Sequence, residues 1–148
     1  MNLLDSVIAK CAREVPEWSD ELASKVRVWL SETSDWSWST VKRVVAENKF
    51  VDLGPARFVR YVGNHIYFVQ ESGAGFIKIG ISSRVVERVY SILRSGPPHR
   101  LTVLAVIKGD RAMESGFHRR FSHAHILGEW FRPTPDLLNF ITTLRNPT

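Results

Sequence analysis

The chain is short of cysteine, of long apolar runs and of acidic residues, and each shortage closes off a class of protein. Cys11 is the one cysteine among 148 residues, so neither an internal disulfide framework nor a thiolate zinc cluster can be built. No apolar stretch approaches the ~20 residues a membrane-crossing helix needs. The opening Met1-Asn2-Leu3-Leu4-Asp5 has no basic segment leading into a long apolar one, so a secretory signal is not expected. A cytoplasmic, intracellular protein with no membrane partner is the expectation. Internal repeats and low-complexity segments are absent as well. The acidic shortage leaves 20 Lys and Arg against 15 Asp and Glu, a net charge of +5. It is local: residues 1–63 carry nine of each sign, whereas residues 64–148 carry eleven basic and six acidic side chains. A folded domain with that excess suits an anionic partner, and nucleic acid is the commonest. A generic basic surface would carry the same charge.

What is present divides the chain in two. Leu3, Leu4, Val7, Ile8 and Cys11 recur at helical spacing. After Pro16, Ser19-Asp20-Glu21 opens a second helix with Leu22, Val26, Trp29 and Leu30 on one face. A polar break over Ser31–Asp35 precedes a third helix, expected from Ser37 or Ser39 to about Glu47. From residue 57 the period changes. Arg57–Val62 alternates like a strand, Gly63-Asn64 is a turn signal, and His65–Gln70 and Phe76–Ile81 flank a Gly-containing loop as a hairpin does. Val85, Val89, Ile92 and Leu93 mark an amphipathic helix that stops at Ser95-Gly96-Pro97-Pro98. Leu101–Ile107 is a buried strand by composition. Asp110 caps a helix with Met113, Phe117 and Phe121 on its core stripe, and Thr134-Pro135 opens a last one through Leu137, Leu138, Ile141 and Leu144. The expected organisation is a helical region over 1–56 and an α+β domain over 57–148.

Several polar residues fall beside these apolar stripes. Arg84 and Arg88 lie four apart next to Val85, Val89 and Ile92. Glu114 and His118, also four apart, stack on one helical edge. Tyr67 and Lys78 sit on the two hairpin strands. A hard cation needs carboxylate oxygens, a phosphate needs Arg or Lys, and hydrolysis needs a group to orient or deprotonate water. All three types are here. Taken singly, each is as well explained by a solvated helix face, a surface pair or a half-buried strand position.

Read in order, the residues resemble a known family. His65-Ile66-Tyr67 and Lys78-Ile79-Gly80 resemble the paired triplets of the GIY-YIG nuclease superfamily, with Tyr67 and Lys78 eleven positions apart and Arg88 ten further on. Glu114-x-x-x-His118-x-x-Phe121 and Glu129-Trp130-Phe131 are similar to a phage and bacterial subgroup whose second triplet begins with Lys. The first triplet begins with His65 in place of Gly. The resemblance spans roughly residues 65–142. It implies a three-stranded antiparallel sheet flanked by helices, and hydrolysis of a phosphodiester, usually in DNA, with one divalent metal. Glu114 would ligate Mg²⁺ or Mn²⁺, Arg88 would hold the scissile phosphate, and Tyr67 would orient or deprotonate water with positive charge from Lys78 nearby. Arg84 would add a phosphate contact. His118 would be either a second polar group near the metal or an internal hydrogen-bonding residue. Glu129 could approach the site, with Trp130 and Phe131 packing the core.

Two other readings come from the same sequence. A nucleic-acid-binding protein could keep the fold without the chemistry. The helices of residues 1–56 could instead form a helix-turn-helix regulator with Lys42 and Arg43 on its reading helix, or a cap or protein-interaction module. His118, His123 and His125 follow no standard zinc spacing, and Gly73-Ala74-Gly75 lacks the Gly-Lys-Ser/Thr ending of a phosphate loop.

Overall fold

A computed structural model describes residues 2–58, 63–96 and 99–145. The chain forms two compact units, 1–50 and 51–148. The division falls before residue 51 and not after 56 as the sequence suggested, because Val51–Asp52 is already a strand of the second unit's sheet.

The first unit holds three helices: α1 (Leu3–Glu14), α2 (Asp20–Ser31) and α3 (Trp38–Lys49). Each begins on a polar cap that accepts a bond from an otherwise unpaired N–H of the first turn: Asn2 for Asp5, Ser19 for Leu22 and Ser37 for Thr40. Ile8, Cys11, Leu22, Val26, Leu30, Val41, Val44 and Val45 form its core. Residues 32–37 join α2 to α3, a longer link than the ~3–4 residues of a DNA-reading turn. The Trp36 indole fixes that link by donating to the carbonyls of Leu30 at 2.8 Å and Thr33 at 3.0 Å. Lys42 and Arg43 are exposed on α3, and Arg43 is paired with Glu47 at 3.3 Å.

The second unit runs β1 (Val51–Asp52), a 3-10 turn (Gly54–Phe58), β2 (His65–Glu71), β3 (Ile77–Ser82), α4 (Val85–Ser95), β4 (Leu101–Lys108), α5 (Arg111–Arg120), β5 (His125–Leu127), β6 (Trp130–Phe131) and α6 (Pro135–Arg145). The sheet is α+β in its setting but wider than the three antiparallel strands expected. Among the described residues six strands lie in the order β1-β4-β2-β3-β6-β5, and β1 joins β4 in parallel. The added strands are only two or three residues long, too short to register as a period in the sequence. The strand expected over Arg57–Val62 is not found at its start. Arg57 and Phe58 belong to the 3-10 turn that follows Gly54-Pro55, and the remainder lies outside the described residues.

Alternation assigns the two faces of the sheet. Ile66, Phe68, Ile77, Ile79 and Phe131 point to one side and pack with Phe121, Leu137 and Ile141 from α5 and α6. Phe68 makes tilted or edge contacts with Phe117 and Phe140, at centroid distances of 5.8 and 6.2 Å. Two residues expected on core stripes are exposed, Met113 at 41% and Leu138 at 38%. In α5 the helix is turned so that Glu114 is buried in place of Met113. No helix among the described residues is long and apolar enough to cross a membrane.

Phe68→Ala removes the ring at the centre of this aromatic group. It is expected to cost about 3–5 kcal/mol of folding free energy, read as a lower denaturation midpoint at unchanged slope.

Candidate active site

The site begins with the pairing of β2 and β3. Tyr67 lies opposite Gly80, and Lys78 lies opposite Val69. Residues two apart on a strand share a face, so Tyr67, Val69, Lys78 and Gly80 all lie on the side away from the α5–α6 core. Trp130 pairs with Lys78 from β6 and joins them. The absence of a side chain at Gly80 is what admits the tyrosine: a Cβ there would overlap the Tyr67 hydroxyl and its ring. Tyr67 is 1% exposed.

Helix α4 brings Arg88 to the phenol, to which its guanidinium donates a hydrogen bond. Burial raises the Tyr67 pKa above its ordinary value, and Glu129 and Glu114 push the same way, while Arg88 opposes them. The phenol is therefore neutral at physiological pH. The Arg88 guanidinium supplies positive charge at the phenol. Lys78 faces the carboxylates of Glu129 and Glu114. Its ammonium stands 3.6 Å from Glu129 Oε2 and 5.7 Å from the Trp130 ring centroid.

Glu114 reaches this group from α5. Its side chain is buried, and Oε2 has no hydrogen-bond partner among the described residues. Burial, then the Glu129 carboxylate, raise the Glu114 pKa, with His118, Arg111 and Lys78 acting in the opposite sense. An orphaned buried carboxylate oxygen is costly in a fold, and a bound cation would relieve it. His118 Nε2 donates to the carbonyl of Ile79 at 2.8 Å, and its ring stands edge-on to Phe131. That bond ties α5 to β3. Glu129 comes from the β5–β6 turn, where Gly128 takes φ +58, and its carbonyl accepts from Ile79 N–H at 3.0 Å.

Tyr67 thus lies within electrostatic reach of Arg88, Glu114 and Glu129, and Glu114 within reach of Lys78, His118 and Glu129. Arg84 is not among them. It occupies the N-cap position of α4 and turns outward to Glu87 at 3.3 Å. His123 pairs with Asp136 at 2.8 Å, and His125 Nε2 donates to the Gly128 carbonyl at 2.7 Å. Among the described residues no group of three or more His, Cys, Asp or Glu is placed to hold a metal ion. No family model, curated protein or solved structure matches the chain.

Two residues gain a role that sequence reading did not give them. Gly80 leaves the space Tyr67 occupies. Trp130, expected in the core, lines an open cavity of about 540 Å³ beside Lys78 and Arg88. The opposite parity of Trp130 and Phe131 was the available signal: only one of two neighbours on a strand can face the core.

Gly80→Ala is expected to displace the phenol and to cost about 1–3 kcal/mol, as overpacking does. Loss of Tyr67 fluorescence or chemical-shift signature together with a lower melting temperature checks it. Glu114→Gln should behave in the opposite way. A carboxylate whose folded pKa is raised contributes stability when protonated, and that contribution is lost as pH rises through the folded pKa. The neutral amide should therefore stabilise the fold by about 0.5–2 kcal/mol at pH 7. The gain should vanish in acid, and parallel thermal melts at the two pH values measure it.

Proposed function

We propose that residues 51–148 form a metal-dependent endonuclease of the GIY-YIG type, hydrolysing phosphodiester bonds in nucleic acid, with DNA as the expected substrate. The observation that carries this reading is the Arg88–Tyr67 hydrogen bond set beside an unpartnered buried carboxylate, Glu114. These groups come from β2, α4 and α5, and the core alone gives no reason to gather them. The motif order that resembles the family agrees with it.

In this reading Arg88 and Lys78 hold the phosphate. Their charge offsets what develops on its oxygens as the bond order to the attacking water rises. Tyr67, held neutral by burial, accepts from Arg88 and keeps its own proton for a second contact. It orients water and does not deprotonate it. Glu114 fits a hard cation: one buried anionic oxygen is open, and Mg²⁺ typically takes one or two protein carboxylates and fills its remaining positions with water and phosphate. Mg²⁺ or Mn²⁺ bound there would supply Lewis-acid stabilisation of the phosphoryl and leaving oxygens. His118 holds α5 against β3 through the Ile79 carbonyl and so positions Glu114.

Cleavage of single- and double-stranded DNA and RNA, with Mg²⁺ or Mn²⁺ and with chelator, tests the proposal. Metal-dependent strand scission is expected. Arg88→Ala should lower it by about 10²–10³-fold, and Glu114→Ala should abolish it. Cleavage that persists in Glu114→Ala would remove the metal assignment. Binding without cleavage under every condition would leave a nucleic-acid-binding protein in place of an enzyme.

A further inference from the structure

The cavity beside the site has two chemically different walls. Lys78 and Arg88, the cations assigned above to the phosphate, form one side. Phe76, Ile92, Leu127 and Trp130 are among the apolar residues that line the rest. Leu127 is 75% exposed at the end of β5, and Ile126 beside it is 39% exposed. The sole carboxylate among the described lining residues is that of Glu71. Its oxygens are occupied by the N–H groups of Gly73, Ala74 and Phe76 at 2.6–3.3 Å, so it is fixed into the loop.

A duplex laid across the cations would keep its bases stacked inside and bring no base plane to the indole. An unpaired base brings one. Bases that are single-stranded or turned out of a helix bind by stacking on aromatic rings while basic side chains track the backbone. The volume, about 540 Å³, lies within the ~300–1,000 Å³ common for small-molecule pockets and is ample for one nucleotide.

We propose that this cavity takes an unpaired nucleobase adjacent to the phosphate held by Lys78 and Arg88, with Trp130 as the stacking platform and Leu127 as the rim. The inference rests on the nuclease reading and sharpens it: the preferred substrate has a single-stranded or extruded nucleotide at the cut.

The test is binding by the full chain in chelator, where no cleavage intervenes. The probes are labelled oligothymidylate, a base-free deoxyribose-phosphate polymer of equal length, and a duplex of equal length. Oligothymidylate should bind about tenfold tighter than either alternative, the order that stacking one base contributes. Trp130→Ala should lose that margin and leave the base-free polymer unchanged. Leu127→Ser, at an exposed position that the core does not use, should lose part of it and guards against a Trp130 variant that fails to fold. Equal binding of the polymer with and without bases overturns the cavity's role, as does a duplex preference that survives both variants. If metal-dependent cleavage persists in either case, the nuclease reading stands without it. If no probe binds and no metal-dependent cleavage is found, both readings fall. A cavity that serves an apolar segment of a protein would leave both variants silent toward every probe, and that result also overturns the proposal.

Discussion

The register between β2 and β3 is the constraint on which the second unit depends. Tyr67 opposite Gly80 places four apolar residues, Ile66, Phe68, Ile77 and Ile79, on the face that meets α5 and α6. The same pairing sends Tyr67 and Lys78 to the other face. Because the side-chain period of a strand is two, a slip of one residue would exchange these sets. It would put a lysine into the aromatic core and leave the tyrosine without the space above Gly80. Core stability and site geometry are therefore specified by one set of hydrogen bonds. A change that disturbs the pairing should not be able to spoil one and spare the other.

Glu114 works against that stability. It takes a buried place on α5 while Met113, the better core residue, stands 41% exposed. Burial and the neighbouring Glu129 both disfavour its charged form. The His118–Ile79 bond and the contact of the His118 ring with Phe131 hold α5 in this orientation. A fold selected for packing alone would turn the helix by one position and bury the methionine. Strain of this kind is expected where a group must be kept ready for a ligand, which is why the orphaned oxygen weighs more in the proposed function than any single motif.

Much of the element order was legible in the sequence because caps, breakers and periods agree locally. Ser19, Ser37 and Asp110 each precede a helix and cap it, and the hairpin follows from two β-rich runs around a Gly-containing loop. Most of the misses depend on contacts distant in sequence. Strands β1 and β6 are too short to show a period and form on the edges of β4 and β3, and β5 then pairs with β6. The turn of α5 that buries Glu114 is decided by a carbonyl on β3, thirty-nine residues away. Arg84 and Arg88 look equivalent on a helical wheel. The helix begins at Val85, however, so Arg84 is left at its N-cap with Glu87, while Arg88 meets Tyr67.

In the proposed reading the same cations serve two environments, and this bears on Lys78, at the position where that reading would place a second tyrosine. A phenol at that position could donate one hydrogen bond. The ammonium meets the Glu129 carboxylate at 3.6 Å, tempers the charge on Glu114 and lies over the Trp130 ring at the mouth of the cavity. Replacing a directional donor by a mobile charge gives up precision at the phosphate. The neutral, buried Tyr67 and the guanidinium of Arg88 restore it, because both are fixed by the hydrogen bond between them. In that reading the Arg88–Tyr67 pair sets geometry, and Lys78, held against Glu129, supplies charge.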